Sequence, residues 1–395
     1  MRVIGLMSGT SYDAIDAAAA DLRIENGTLV MQPLGLLSAP YPPSVREALA
    51  AALPPAATTM QDVCRLDTAI GQAFAAVARQ AIEQLGGGTA DLIASHGQTV
   101  YHWVEDSQVH GTLQLGQAAW IAEATGVPVV SDFRTRDVAA GGQGAPLVSL
   151  IDVLWLRGRS GTPVALNLGG IANVTVVPLD GEPVAFDTGP ANALLDAAVL
   201  DLTAGRASYD ADGAMAARGR VHEVLLERLL AEPYYARRGP KSTGKELFHL
   251  PYLAAAMNGL EVIPADDLVA TLTALTVRTV ADAVRAHGGT EVIASGGGTR
   301  NPVLMNRLAA ELGGIPLRTT DELGLPSAAK EAYAFAVLGF LTLHGLPATV
   351  PSCTGARHAS ILGSITPARG PLPAIPLVAP PTRLVVAQEA QARRN

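Results

Sequence analysis

Two stretches of this sequence share one plan, in which an apolar strand runs into a turn of small polar residues and a second apolar strand leaves it. The first stretch covers residues 1–22 and the second covers residues 164–177. Each is followed later by a strand of the form acid-apolar-Ile-Ala-Ser-x-Gly, at residues 91–97 and 291–297. Because both patterns recur in the same order, the sequence predicts a duplicated α/β domain.

The length of 395 residues agrees with two domains, since it exceeds what one ordinary core supports. We place the first domain at residues 1–130 plus 345–370, the second at 131–344, and a loose proline-rich tail at 371–395. Aromatic residues make up only 4% of the chain, while 49% of its residues are hydrophobic. We therefore expect an interior of closely packed small side chains.

Charge and cysteine usage exclude several classes of function. A net charge of -8 argues against nucleic acid or an anionic membrane as a general partner. The two cysteines, Cys64 and Cys353, cannot form a disulfide framework or a cysteine-based zinc site, which favours a reducing cytoplasm. No signal-peptide core follows Arg2, and the apolar run at 332–343 is too short to cross a bilayer. We expect that run to form a buried helix.

The turn that follows the first strand has the composition of a phosphate-binding loop. Gly9 lets backbone amides approach an anion closely, and Thr10 and Ser11 add hydroxyl donors. Asp13 and Asp16 would repel a bare phosphate, so a divalent cation between them and the phosphate would make sense of both. A hairpin turn without a ligand explains the same residues.

The corresponding part of the second half carries an acid at a strand end. Asp187 follows an apolar segment and comes just before a predicted helix at 191–204. This is a common catalytic position, although a helix-capping aspartate explains it too.

Three glycines, 296–298, lie between a predicted strand and a predicted helix. They suit a base or ribose packed on backbone, or simply a tight connection.

Polar side chains also follow strands in the first half. Ser95, His96 and Gln98 lie at a strand terminus, where open parallel sheets bind ligands. A further strand is expected to deliver Asp132, Arg134 and Asp137 into the glycine-rich loop at 139–146 as a polar hinge. A solvated loop with a surface ion pair is the alternative.

Two other motifs are less informative about chemistry. Residues 239–245 fit G-x-x-x-x-G-K, but Glu246 stands where that motif needs a magnesium-binding hydroxyl, and no buried strand precedes it. We reject the motif as a nucleotide loop, although Lys241, Ser242 and Lys245 could still contact an anionic substrate. Glu331 opens a predicted helix at 327–343, where the helix dipole alone would favour an acid.

With these pieces assembled, the chain resembles the 1,6-anhydro-N-acetylmuramic acid kinases, a family of the sugar kinase and actin superfamily, over residues 3–363. The shared motifs occur in the family's order: GLMSGTS at 5–11, SHGQT at 95–99, DFR at 132–134, GGQGAPL at 141–147, NLGGIAN at 167–173, FDTGP at 186–190, KSTG at 241–244, GGG at 296–298 and EA at 331–332. Ala14 and Ala191 stand where the family usually has glycine. A required positive φ at either would add strain of about 1 kcal/mol.

The resemblance implies a fold of two ribonuclease H-like domains of the actin and sugar-kinase type, with mixed sheets flanked by helices and the active site in the interdomain cleft. It implies a cytoplasmic enzyme that uses ATP and Mg²⁺ to open 1,6-anhydro-N-acetylmuramic acid with water and phosphorylate O6. The product, N-acetylmuramic acid 6-phosphate, belongs to cell-wall recycling and amino-sugar catabolism. A homodimer is a possible assembly.

The resemblance also assigns residues. Asp187 matches the family's general base, and Glu331 is similar to an acidic residue near the sugar. The residues that match ATP-binding positions are Gly9, Thr10, Ser11, Tyr12, Asp13, Ala14, Ile15, Asp16, Asn167, Gly169, Gly170, Gly296, Gly297 and Gly298. The residues assigned to the substrate are Ser95, His96, Gln98, Asp132, Arg134, Gly144, Asn192 and Lys241. We assign no protein ligand to Mg²⁺, which phosphate oxygens and water would largely hold.

Three other functions are open on the sequence. An ATP-dependent kinase of another sugar or polyol would have the same phosphate loops. A nucleotide-binding scaffold of the actin type would bind ATP without sugar-dependent turnover. A hydrolase with His96 as its base has the least support, because no G-x-S-x-G motif is present.

Overall fold

The computed structural model describes residues 1–9, 12–54, 56–105, 108–237, 239, 241–244 and 247–387. The strands in chain order are β1 (Arg2–Ser8), β2 (Ala14–Glu25), β3 (Thr28–Pro40), β4 (Leu92–Glu105), β5 (Gln108–Leu115), β6 (Val129–Ser131), β7 (Pro163–Leu168), β8 (Ile171–Val176), β9 (Val184–Pro190), β10 (Glu291–Ser295), β11 (Leu317–Thr319), β12 (Ser364–Thr366) and β13 (Arg383–Val386).

The helices occur singly and in groups between these strands and after β11. In chain order they are α1 (Pro43–Ala52), α2 (Met60–Gln84), α3 (Ala118–Thr125), α4 (Phe133–Ala139), α5 (Ser149–Leu156), α6 (Asn192–Leu202), α7 (Ala214–Arg218), α8 (Glu223–Leu230), α9 (Pro233–Ala236), α10 (Leu250–Met257), α11 (Ala265–Ala286), α12 (Pro302–Glu311), α13 (Lys330–Leu343) and α14 (Pro351–Thr354). Short 3₁₀ turns cover Ala211–Gly213, Gly297–Arg300, Asp321–Leu323 and Ser327–Ala329. Within the described residues, no helix is both long and apolar enough to cross a membrane.

The chain forms two compact units, which we call the first unit (residues 1–157 and 329–395) and the second unit (158–328). In the first unit the strand order is β12-β6-β4-β1-β2-β3-β13, and β5 pairs with β4. Strands β1, β2 and β3 form an antiparallel meander, to which β4 and then β6 add in parallel. In the second unit the order is β11-β10-β7-β8-β9.

The second sheet repeats the plan of the first. Strands β7, β8 and β9 form an antiparallel meander, β10 adds in parallel to β7, and β11 adds in parallel to β10. Apolar residues of α11 and α12 pack with this sheet in one core, including Val280 and Leu304. The predicted duplication of an α/β domain with mixed sheets and flanking helices is confirmed.

Small residues let α13 lie unusually close to the first sheet. A Cβ atom on Gly5 would lie 1.9 Å from the carbonyl oxygen of Ala332, and one on Gly339 would lie 2.5 Å from Cβ of Ala94. Every residue from 332 to 343 is buried. The expected close-packed interior and the buried helix at 332–343 are both confirmed.

The units divide the chain at 157/158 and 328/329, not at the expected 130/131 and 344/345. Strand β6 extends the first sheet by pairing with β4, and α13 packs against β1 and β4, so both segments belong to the first unit. The tail also differs from the expected loose chain, because β13 pairs in parallel with β3 and places Leu384 opposite Leu29. Residues 388–395 lie outside the described part.

Candidate active site

The first glycine turn is held in place by a buried amide. The carbonyl oxygen of Gly9 accepts hydrogen bonds from the Tyr12 amide and from Nε2 of Gln98, each at 3.1 Å. Oε1 of Gln98 lies 2.8 Å from the Ser8 hydroxyl and 3.1 Å from the Tyr41 hydroxyl. Gln98 is 1% exposed, and its side chain supports the turn.

The residues after the turn divide between core and surface. Thr10 and Ser11 lie outside the described residues. Ile15 is fully buried in the hydrophobic core, so only its main chain is available to a ligand. Ala14 begins β2 in an extended conformation, so the extra methyl group meets no positive φ.

Two carboxylates follow the first turn. Asp13 is exposed and Asp16 is half-buried. Burial raises the pKa of Asp16, a hydrogen bond from Ser38 opposes that rise, and the charge of Asp13 adds to it. A cation between these acids and a phosphate would remove that repulsion. No cluster of three potential metal-ligating side chains occurs among the residues the structure describes.

His96 is a neutral positioning residue for Arg134. Nε of Arg134 donates to Nε2 of His96 at 2.9 Å, so the proton of His96 is on Nδ1, which donates to the carbonyl of Gly97 at 2.8 Å. Burial, together with the charge of Arg134, lowers the pKa of His96 to about 3. With both ring nitrogens engaged, His96 is unsuited to act as the base of a hydrolase.

Arg134 and Asp137 organise the glycine-rich loop. Nη1 of Arg134 donates to the carbonyl of Gly144, and the Gly144 amide donates to Oδ2 of Asp137, each at 2.7 Å. Asp137 is fully buried and also accepts from the Thr354 hydroxyl at 2.7 Å. Both residues lie on α4, not on a strand as expected. The alternative of a solvated loop with a surface ion pair is wrong.

Glu331 shares the electrostatic environment of this network. It lies in the first turn of α13 and reaches solvent, but the surrounding protein desolvates its carboxyl and raises the pKa. The charges of Arg134 and Lys330 lower that pKa, whereas Asp16 raises it. In the first unit, Asp16, a predicted ATP residue, and Arg134, a predicted sugar residue, therefore both lie within electrostatic reach of Glu331.

Two further predicted sugar residues belong to the first unit: Asp132 directly follows β6, whereas Ser95 lies inside β4 and not at a strand end as expected. Asp132 is exposed and adopts a left-handed conformation, with φ 56°, and it accepts a hydrogen bond from Thr135 at 2.5 Å. Such a conformation in a non-glycine residue is often found at functional sites. Ser95 is 1% exposed, and its hydroxyl has no hydrogen-bond partner within the described part of the chain.

A row of polar residues crosses the sheet of the second unit. The strand registers place Ser295 opposite Asn167, Asn167 opposite Asn173, and Asn173 opposite Asp187. Asn167 and Asp187 of this row were predicted from the sequence as site residues, and Asn173 belongs to the NLGGIAN motif. Ser295 was not predicted, although its position at the end of a strand next to β7 was a usable signal.

Asp187 lies within β9 and is fixed by a neighbouring segment. Its amide donates to the carbonyl of Lys241 at 2.9 Å, and its Oδ2 accepts from the Thr243 amide at 2.9 Å. Its carbonyl accepts from the Tyr234 hydroxyl at 2.8 Å. Since α6 begins at Asn192, with Ala191 at the N-cap, the helix-capping explanation of Asp187 is wrong.

The ammonium of Lys241 is held by main-chain carbonyls of α9. Nζ donates to the carbonyls of Tyr234 and Tyr235, at 3.0 and 3.2 Å, and lies 4.5 Å from the centre of the Tyr234 ring. Burial and the nearby Arg237 lower the pKa of Lys241, and Asp187 opposes them. Lys245 lies outside the described residues.

The second glycine turn, the glycine triplet and Asn192 contact one another. The carbonyl of Gly169 accepts from the Asn192 amide at 3.1 Å, and Nδ2 of Asn192 donates to the carbonyl of Leu168 at 3.1 Å. Gly170 likewise accepts from the amides of residues 191 and 193. Asn192 therefore supports the turn in this structure.

The triplet lies against the end of β7. Gly296 has φ +88°, and a Cβ there would lie 2.6 Å from Oδ1 of Asn167; a Cβ on Gly298 would lie 2.7 Å from Cβ of Leu168. A Cβ on Gly297 would have one neighbour within 4 Å among the described residues, Nδ2 of Asn192 at 3.9 Å. Close packing against β7 requires glycine at positions 296 and 298. The space beside Gly297 is open and can hold a ligand.

Ala191 has φ −123°, so its methyl group adds no positive-φ strain.

The neutral state of His96 gives a pH prediction for the first unit. Because its pKa falls from 6.5 in the unfolded chain to about 3, the unfolded chain binds the extra proton, and stability decreases as pH falls from 6.5 towards 3. Between these two pKa values, the unfolding free energy changes by up to about 1.4 kcal/mol per pH unit. Urea unfolding followed by tryptophan fluorescence reports on this unit, which contains Trp103, Trp120 and Trp155. We expect the unfolding free energy of His96→Asn to depend less steeply on pH. The exposed control, His358→Asn, should keep the pH dependence of the unmodified chain, and the same result for His96→Asn would contradict the prediction.

Comparison with known proteins gives close relatives. A family model described as anhydro-N-acetylmuramic acid kinase matches residues 1–368. An anhydro-N-acetylmuramic acid kinase from Streptomyces avermitilis is 70% identical over 369 residues, 93% of this chain and 95% of the relative. One from Rhodococcus erythropolis is 64% identical over 382 residues, 95% and 96% of the two chains. A solved ROK family glucokinase from Streptomyces griseus, in complex with glucose and AMPPNP, is 13% identical with a TM-score of 0.36, covering 86% of this chain and 99% of that one.

Proposed function

Because this chain belongs to the anhydro-N-acetylmuramic acid kinase family, we propose that it opens 1,6-anhydro-N-acetylmuramic acid with water and phosphorylates O6 with ATP. Water oxygen bonds to C1 while the bond from C1 to O6 breaks. O6 bonds to the γ-phosphorus while the bond from that phosphorus to the β-phosphate oxygen breaks. The products are N-acetylmuramic acid 6-phosphate and ADP, which fits a cytoplasmic role in cell-wall recycling.

Asp187 is the general base of this proposal. The observation that carries it is the placement of its carboxylate at the end of the polar row across β10, β7, β8 and β9, with Oδ2 fixed by the Thr243 amide. Water activation needs a carboxylate in a fixed orientation within hydrogen-bond reach of the water. Asp187 takes one proton from the water as its oxygen attacks C1.

The glycine turns are the proposed phosphate contacts. We assign the turn at Gly9, held by Gln98, and the turn at Gly169 and Gly170, held by α6, to phosphate oxygens, and Gly297 to the nucleoside. Mg²⁺, when bound with ATP, would neutralise charge on the transferred phosphoryl group. Asp13 and Asp16 are the acidic side chains nearest the first turn, and they would orient water bound to that ion.

Arg134 and Glu331 are the proposed sugar contacts. The guanidinium of Arg134 is fixed on two sides by His96 and by the Gly144 carbonyl, so it presents a positive charge without reorganisation to an acceptor that carries a carboxylate. Glu331, with its raised pKa, is the candidate acid near the anhydro bridge. Asp132 and Ser95 are assigned to sugar hydroxyls.

The experiment that tests this function measures ADP release in the presence of Mg²⁺ and ATP. We expect release that depends on 1,6-anhydro-N-acetylmuramic acid, with little release for N-acetylmuramic acid, which lacks the bridge. Faster release with a different sugar would favour another kinase of this superfamily. Binding of ATP without any sugar-dependent release would favour a nucleotide-binding scaffold. Assembly as a homodimer stays a separate prediction.

A further inference from the structure

A basic cavity of about 640 Å³ lies in the second unit, apart from the proposed catalytic groups. Phe186 and Thr188, the neighbours of Asp187 on β9, line it, whereas Asp187 does not. Successive side chains of a strand point to opposite faces of the sheet. The cavity is therefore on the opposite side of β9 from the Asp187 carboxylate, with α11 as its other wall.

The charges around this cavity favour an anion. Among the residues that the structure describes, Arg237, Lys241 and Arg278 line it against one acid, Asp282, which leaves two formal positive charges in excess in a chain whose net charge is -8. Asp282 is itself paired with Arg285 at 2.7 Å. Arg278 is paired with Glu311 at 3.4 Å, but Glu311 does not line the cavity.

Like charges are held close together here. Burial lowers the pKa of Lys241 most, the charge of Arg237 lowers it further, as expected when two cations repel each other, and Asp187 opposes both. An anion bound between them would relieve this repulsion. Guanidinium groups are well suited to this task, because their planar donors match the oxygens of a phosphate.

The rest of the lining suits a small carbon skeleton. The rings of Phe186 and His287 lie with centroids 4.9 Å apart and form an aromatic wall, and Thr188 and Thr279 add hydroxyl groups. The volume falls within the range of about 300–1,000 Å³ typical of small-molecule sites. A flat wall with hydroxyl groups beside a basic patch is a suitable environment for a sugar ring that carries a phosphate.

We propose that this cavity, lined by Arg237, Lys241, Arg278 and Phe186, is a second ligand site that binds the phosphate ester of a small sugar-sized metabolite. The phosphate contacts the cationic side chains, and the carbon skeleton packs on the ring of Phe186. This site is separate from the proposed catalytic groups, and it does not depend on the assigned reaction.

Calorimetric titration of the full chain with glucose 6-phosphate, inorganic phosphate and glucose tests the proposal. We expect the sugar phosphate to bind, phosphate alone to bind more weakly, and glucose not to bind. Arg278→Ala and Arg237→Ala should each weaken sugar-phosphate binding on the order of tenfold, because each removes a charge-assisted contact. Arg220→Ala, an exposed arginine of the same unit outside the cavity, serves as the matched control and should leave binding unchanged.

Two results would overturn this assignment. One is the absence of sugar-phosphate binding to the unmodified chain. The other is binding that survives in Arg278→Ala but is lost in Arg134→Ala, which would place the ligand among the proposed sugar contacts. ADP release by Arg278→Ala without added sugar phosphate should equal that of the unmodified chain, so a failure of this proposal is distinguishable from a failure of the assigned reaction.

Discussion

Changing Asp187 to asparagine is expected to lower the turnover number by about 10²–10⁴-fold, the usual contribution of a general base. Asparagine preserves the size of the side chain and an oxygen that can accept from the Thr243 amide, so the β9 main chain and its bonds to residue 241 should persist. It cannot take a proton from water. Steady-state ADP release gives the turnover number, and calorimetric titration gives the affinity for an ATP analogue and for the anhydro sugar.

The matched control is Asp180→Asn, an exposed aspartate in the turn between β8 and β9 of the same unit. We expect normal turnover for this control and near-normal ligand binding for both variants. Unchanged turnover in Asp187→Asn would remove Asp187 from the role of base. A loss of ligand binding equal to the loss of turnover would assign it a binding role instead.

Replacing Gly5 with alanine is expected to destabilise the first unit by about 3 kcal/mol, the upper part of the usual range for overpacking. The added Cβ would lie 1.9 Å from the Ala332 carbonyl oxygen and 2.8 Å from the Ala336 amide nitrogen. Both are main-chain atoms of α13, so no side-chain rotation removes the clash, and the helix must move from β1. Urea unfolding followed by tryptophan fluorescence measures the change in unfolding free energy.

Gly370→Ala is the matched control for this substitution, because a Cβ at Gly370 meets no atom within 4 Å and its φ is not in the positive range. We expect that variant to unfold at the same urea concentration as the unmodified chain. Equal midpoints for Gly5→Ala and Gly370→Ala would contradict the close approach of α13 to β1. Because α13 begins with Lys330 and Glu331, a shifted helix should also reduce turnover.

The duplicated fold was predictable because its signals are local in sequence. Alternating apolar residues predict the two hairpins. A short strand motif also follows each hairpin in the same order, which predicts that both sheets are built from the same succession of strands. The long apolar helix α13 was equally clear. Strand β13 was not predictable, because four residues gain their stability by pairing with β3, more than 350 positions earlier, and prolines dominate the segment before them.

The composition of the site was more predictable than the roles within it. Residue type and position made Asp187 and Arg134 candidates, but did not predict the hydrogen bonds that connect each of them to other segments. Gln98 looks like a ligand contact in sequence, yet it bonds to Gly9, 89 positions away. His96 looks like a base, yet burial next to Arg134 keeps it neutral. These roles depend on tertiary contacts that a pattern of residue types does not contain.

The residues that line the proposed second ligand site were also not predictable as a group from the sequence. Lys241 belongs to the G-x-x-x-x-G-K motif at 239–245 and Arg237 lies just before it, whereas Arg278 lies on α11 about 40 positions later. Only the packing of α11 beside β9 brings these cations to one cavity. The loop motif therefore predicted affinity for an anion without indicating where that anion would bind.

Oxygen labelling tests the assigned reaction most directly. With ¹⁸O water, Mg²⁺, ATP and 1,6-anhydro-N-acetylmuramic acid, we expect a product that carries one labelled oxygen on C1 of the sugar and none in its phosphoryl group. Unlabelled product held in ¹⁸O water for the same time corrects for exchange at C1. A product whose label is in the phosphoryl group, or whose mass shows phosphate transfer without addition of water, would contradict the account.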